Sequence, residues 1–261
     1  MAGIHLLMRA NRLCLITLLA ATLIIGCKRQ TEDYQTEALS EYIPLQVGKY
    51  ITYKLDSTVF TNFGRTTERH VYQEKDIVDA KLPDALGRPG YRVFRFLRDS
   101  AGTQPWKPAG SYFITPLEKT VEVMEDNLRF VKLVLPITQD FTWKGNEFLP
   151  DEPYSALYSF NNDFDISTWD YMYSSLDQTE VINGKTLNNV LTMDGIDDVF
   201  NYPITDPSGF AYVNRLQDKY AKGIGLIYQE QTMWEYQPNT GGQGGGFKIG
   251  FGVKRSMIDH N

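Results

Sequence analysis

Few residues in this sequence carry the types and spacing that chemistry needs. The sharpest group is Ile24-Ile25-Gly26-Cys27, which closes an apolar run. A small residue before a cysteine at that place reads as a lipobox. Signal peptidase cuts before Cys27, and the Cys27 thiol takes the acyl chains, diacylglycerol and palmitate. Arg9 and Arg12 give the positive flank, and residues 13–25 are uncharged, with Thr17 and Thr22 as the polar interruptions. This is the anatomy of a cleaved signal. Lys28 and Arg29 end the run short of the roughly 20 apolar residues that a spanning helix requires. Lys28 in place of aspartate after the cysteine points, by analogy with enterobacterial lipoproteins, to the outer membrane.

The other reactive types are sparse. The chain has two cysteines, Cys14 and Cys27. Cys14 leaves with the signal and Cys27 is modified, so the remainder has no disulfide, no thiolate metal site and no cysteine nucleophile. After processing, the histidines are His70 and His260. His260 is expected to be exposed and mobile. A Ser–His–Asp site would have to use His70, and Arg69-His70-Val71-Tyr72 reads more simply as a strand. Zinc asks for three or four ligands, which two distant histidines do not supply.

Carboxylates cluster at Asp163-Phe164-Asp165 and at Asp194-Gly195-Ile196-Asp197-Asp198. Calcium takes six to eight oxygens from such loops, but neither stretch has the EF-hand spacing. Turn chemistry, with Asp and Asn bonding their own backbone, is the plainer reading. A glycosidase needs two carboxylates at a set separation; with 32 acidic residues the sequence does not choose the pair. The glycines at 223–225 and 241–246 lack the Gly-Lys-Ser/Thr of a phosphate loop. No catalytic, metal or cofactor set emerges, and the chain reads as non-enzymatic.

Composition narrows the partners. The formal charge is −6, and losing Arg9 and Arg12 makes it two units more negative. An acidic chain without a basic cluster is a poor nucleic-acid binder. Membrane attachment falls instead to the lipid on Cys27, since two or more acyl chains hold far better than one. Sixteen Tyr, fourteen Phe and four Trp supply a core, or a binding surface. Trp106, Trp143, Trp169 and Trp234 fall near strand ends or loops, close to Tyr154, Tyr158, Tyr171 and Tyr173. Such rings pack a core, stack on sugars or line an apolar cavity.

The elements that must position these residues are strands. Residues 1–26 are the signal, 27–40 a polar lipidated tether, and 41–261 a β domain. Ile51, Tyr53, Leu55 and Val59 share one face of a half-buried strand, and Thr52, Lys54, Asp56 and Thr58 the other. A second strand covers 66–76. Residues 91–98 form a third, in which Arg92, Arg95 and Arg98 interrupt the apolar residues. Asp126-Asn127 and Asn183-Gly184 turn hairpins. Residues 82–90, 101–110 and 194–209 read as loops and 138–162 as mostly irregular. Residues 212–221 fit a helix capped at Gly223 as well as a strand. Turn signals recur every ten to fifteen residues without long helical periodicity. The expectation is a mainly antiparallel, strongly curved single sheet, an incomplete barrel with at most one or two short helices. A β-sandwich is the alternative.

Tyr42-x-Pro44-Leu45-x-x-Gly48-x-Tyr50-x-x-Tyr53, Asn183-Gly184 before Asn189-Val190-Leu191, Tyr220-Ala221-Lys222-Gly223-Ile224-Gly225-Leu226-Ile227 and the tail Ile258-Asp259-His260-Asn261 resemble a family of uncharacterised outer-membrane lipoproteins of Bacteroidota. The glycine segments are similar to those of envelope proteins with a LolA-like or LppX-like fold. The resemblance implies a curved sheet that can hold an acyl chain against covering helices, although no lid helix is evident here. It transfers no catalytic residue. The functional expectation is a non-catalytic binding or assembly accessory of the envelope, holding an apolar or lipid-like ligand or contacting an envelope protein. Glycan capture by a nutrient-uptake accessory comes second, and an envelope hydrolase third.

Overall fold

A computed structural model describes residues 37–158, 160, 165–239, 241 and 244–261. The lipobox, Cys27 and the signal all lie outside the described residues, as do most of the tether and the Asp163 carboxylate.

Twelve strands form one antiparallel sheet. They are β1 (Tyr50–Thr61), β2 (Thr66–Pro83), β3 (Pro89–Asp99), β4 (Lys107–Pro116), β5 (Thr120–Glu125), β6 (Leu128–Val134), β7 (Thr142–Lys144), β8 (Asp170–Ile182), β9 (Lys185–Phe200), β10 (Ala211–Ala221), β11 (Gly225–Gln237) and β12 (Phe247–His260). The order across the sheet is β6-β5-β4-β3-β2-β1-β12-β11-β10-β9-β8-β7. Every neighbour but one is a sequence neighbour. The exception, β1 beside β12, joins the two halves of the chain. Among the described residues, two four-residue helices accompany the sheet, α1 (Leu39–Tyr42) and α2 (Ser155–Tyr158). The single curved sheet is the expected architecture, and the sandwich is not formed.

Hairpin chemistry sets the register. Asp126 and Asn127 have φ of 52° and 62°, and Asn183 and Gly184 of 48° and 80°. Left-handed backbone at both turn positions is what a tight hairpin matching strand twist needs. Asn183 also donates to the Ser256 and Met257 carbonyls at 3.2 and 2.9 Å, folding the β8–β9 tip over β12.

The sheet nearly closes where β6 meets β7. Val131 N donates to the Gly145 carbonyl at 2.8 Å, and the Trp143 indole donates to the Val131 carbonyl at 2.8 Å. The Tyr173 hydroxyl both gives to the Val134 carbonyl and receives from its amide, each at 2.8 Å. Closure of this kind removes exposed sheet edges. The seam is the centre of the aromatic core. Trp143 packs on Tyr173 with ring centres 4.6 Å apart, and Leu133, Tyr171 and Phe160 are buried with them.

Several local expectations change. Residues 194–200 continue β9, because Asp194, Asp197 and Asp198 find partners across the ladder on β10; the loop is shorter than the expected 194–209. The ambiguous 212–221 stretch is strand, paired on both sides by β9 and β11. The loops at 82–90 and 101–110 shrink as β2, β3 and β4 extend into them. The irregular 138–162 region contains β7 and α2. His260 closes β12 opposite Ile51, held in the ladder rather than mobile.

Candidate functional site

The barrel holds a cavity of about 130 Å³. Its construction follows from alternation and register. In β2, Glu74, Asp76 and Val78 share one face. Asp76 lies directly opposite Arg95 of β3 and opposite Ile51 of β1. On the other side, Arg255 of β12 lies opposite Leu55 and Gln229, and Gln229 lies opposite Asp218 of β10. Side chains from both walls therefore meet inside.

The mouth of the cavity is apolar. Ile51, Val78, Val93, Ile114, Ile224 and Leu226 line it. The segment that begins with α1 covers this end. Leu39 and Tyr42 of α1 are buried, and the Tyr42 hydroxyl donates to Glu37 at 2.6 Å. Lys222 pairs with Glu37 and stands 3.5 Å from Asp177, while Gly223 N donates to the Glu41 carbonyl at 2.7 Å. Lys49, at the same end, donates to the Gly223 carbonyl at 2.5 Å.

The floor is charged. Arg255 reaches Glu74 at 2.6 Å. Arg95 approaches Glu74 and Asp76 at 3.4 Å each and donates to Glu125. The Tyr112 hydroxyl donates to Asp76 at 2.9 Å. Lys132 of β6 reaches across the interior to Asp218 at 2.9 Å, and Asp218 also accepts from Gln229 and Tyr220 at 3.0 and 3.2 Å. Among the described residues every buried side-chain polar atom has a partner.

Electrostatics splits the carboxylates. Burial, then the Glu74 charge, push Asp76 up to about 7; Arg95, Arg255 and the Tyr112 hydrogen bond only partly oppose this. Burial also works to raise Glu125, but Arg95 and Arg255 outweigh it and hold Glu125 below its ordinary value. Burial and the neighbouring Asp76 keep Tyr112 and Tyr53 neutral far into the alkaline range. Two carboxyls whose proton affinities are pushed apart are the pattern of an acid–base couple. Here the Arg95 guanidinium joins the two, 3.4 Å from Asp76 and donating to Glu125. Among the described residues these charged groups are paired with one another.

The residues singled out by sequence are dispersed. His70 is on β2, its Nε2 3.0 Å from Glu68. Asp194 accepts from Gln217 at 2.8 Å, Asp197 pairs with Arg215 at 2.7 Å and Asp198 accepts from Tyr212 at 3.1 Å. Asp165 caps the turn at Ser167. No group of three or more His, Cys, Asp or Glu among the described residues is placed to hold a metal. The sugar platform does not form from the expected rings. Trp143, Trp169, Trp234, Tyr154, Tyr171 and Tyr173 are buried, and the Arg98 guanidinium covers Trp106 at 4.2 Å. Tyr158 is partly exposed but stacks on Phe251 at 3.9 Å. The exposed rings lie elsewhere, chiefly Phe63, Phe200 and Tyr202.

Glu74, Asp76, Glu125 and Arg255 were not apparent as site residues from sequence. The usable signal was parity: Asp76 is in step with Val78, and Arg255 with Val253 and Met257.

No family model matches the chain, and no curated protein matches it. Among solved structures, it is similar to an outer membrane lipoprotein-sorting protein domain from Vibrio parahaemolyticus, with 13% identity over 82% of this chain and 85% of that one and a TM-score of 0.18. It is also similar to a DUF1329 family protein from Desulfovibrio piger ATCC 29098, with 10% identity over 84% of this chain and 88% of that one and a TM-score of 0.19. The fold assignment rests on the strand order and register.

Proposed function

We propose that this protein is a lipid-anchored envelope protein whose barrel holds an apolar or lipid-like ligand, without catalysis. The observation that carries the reading is the cavity itself, with its aliphatic mouth and polar floor. An apolar body with a few convergent polar groups is the general design of a small-molecule site. The volume limits what enters. About 130 Å³ is close to the ~150 Å³ cavity that accepts benzene in an engineered protein. The closed form therefore takes a short chain or one ring, and a longer chain projects through the mouth past α1. Cys27 is the proposed acylation site, with the outer membrane as the proposed location. Among the described residues no helix is long and apolar enough to cross a membrane.

Native mass spectrometry on residues 28–261, produced in the periplasm without the anchor, tests the reading. A reproducible co-purifying mass of lipid size is expected. A clean apo mass, unchanged after incubation with lipid extract, contradicts it.

A further inference from the structure

Phe63 is placed against its own preferences. It lies in the β1–β2 turn, and its φ is 55°. Left-handed backbone suits Gly and Asn and is costly for a bulky side chain. Its ring is also 87% exposed, so packing among the described residues does not offset that cost. A side chain held in this way points to a contact outside the barrel. Its surroundings narrow the kind of contact. In an antiparallel sheet of this order the β1–β2, β9–β10 and β11–β12 turns share one end of the barrel, opposite the mouth. Lys248 N donates to the Gly64 carbonyl at 2.8 Å, joining the first of these turns to β12. Phe60 and Tyr202 both pack edge-on against Trp234, with ring centres 6.3 and 5.5 Å apart. Phe200 and Tyr202 are 56% and 52% exposed, and Phe247, beside Lys248, is exposed as well. The cations here have neutral partners. The Lys248 ammonium lies over the Trp234 ring at 4.6 Å, and Arg65 donates to the Gly244 carbonyl. Among the described residues neither is paired with a carboxylate. The carboxylates of this end are engaged elsewhere: Asp197 with Arg215, Asp198 with Tyr212, Glu68 with Thr61, and Asp206 with Ser208.

We propose that this end of the barrel docks on an anionic lipid surface. Phe63 enters deepest, with Phe200 and Tyr202 beside it, and Arg65 and Lys248 stand at the level of the phosphates. Aromatic rings flanked by lysine and arginine, whose stems lie along apolar surface while their charges reach the headgroups, are the composition that suits this depth. Lipid phosphates complement the two cations and hydrocarbon complements the rings. A neutral apolar protein face would complement the rings alone. The contact is separate from the cavity and stands whether or not the barrel holds a ligand.

The test is flotation of the anchor-free protein, residues 28–261, with vesicles of phosphatidylcholine alone and of phosphatidylcholine mixed with phosphatidylglycerol. The mixed vesicles should carry the protein, and added salt should release it, because exposed charges are screened. Phe63→Gly should weaken partition about tenfold, the effect of withholding one large apolar side chain from hydrocarbon. The same change should raise the melting temperature, since glycine relieves the left-handed turn. A Phe63 that served only the fold would instead lower it. Leu86→Ser removes an exposed side chain from the β2–β3 turn at the opposite end and should leave partition unchanged. No binding to either vesicle, binding that ignores phosphatidylglycerol, or equal partition of wild type and Phe63→Gly overturns the proposal. So does a dimer in sedimentation velocity that Phe63→Gly dissolves, which would assign this end to a second copy of the chain.

Discussion

Replacing Lys132 by Met is expected to lower folding stability by about 3–5 kcal/mol, the usual cost of removing one partner of a buried ion pair. Asp218 is fully buried and Lys132 nearly so. Without the ammonium, Asp218 keeps only the neutral donors Gln229 and Tyr220. The pair also spans the interior, tying the edge strand β6 to β10 on the far wall, so its loss weakens the closed shape as well as the local charge balance. Urea unfolding of Lys132→Met measures the effect. The double variant Lys132→Met/Asp218→Asn, which removes both charges, should be more stable than Lys132→Met alone. A loss below about 1 kcal/mol in the single variant contradicts the buried pairing, since that is the range of exposed pairs.

Trp143→Ala is expected to cost about 3–5 kcal/mol, as large aromatic deletions in cores do. The indole packs against Tyr173 and Tyr171, and its N–H supplies one of the hydrogen bonds at the β6–β7 seam. Trp143→Phe keeps most of the packing and should lose only about 1 kcal/mol, the net worth of one hydrogen bond. The seam adds a second readout. The Val131 amide donates to Gly145 across the gap, so its hydrogen exchange should accelerate in Trp143→Ala beyond the change in global stability. Unchanged protection at Val131 contradicts the assignment of Trp143 to closure.

The strands of this protein were legible because their determinants are local. Period-two alternation at 51–59 and turn pairs such as Asn183-Gly184 specify strand and hairpin within a few residues. Stretch 194–200 was misread because its aspartates suit turns in isolation; only the partners Gln217, Arg215 and Tyr212 on the next strand make them ladder residues. The fate of the aromatics was equally non-local. Trp143 and Trp234 sit near strand ends in either case, and whether they face a sugar or a core depends on the seam that buries them. The floor was the hardest to see. Glu74, Asp76, Arg95 and Arg255 look like a solvated face one strand at a time, and charged residues are seldom buried unless paired. Their pairing appears only when four strands are in register.

The measurement closest to the central claim compares ligand uptake in the wild-type barrel and in one with a filled cavity. Ile114→Trp places an indole among the lining residues of the mouth. Titration with an environment-sensitive naphthylamine probe should give saturable fluorescence enhancement in the anchor-free wild type. Ile114→Trp, confirmed as folded by its melting transition, should weaken that binding at least tenfold. Equal affinity in the two proteins would place the ligand outside the barrel and contradict the account.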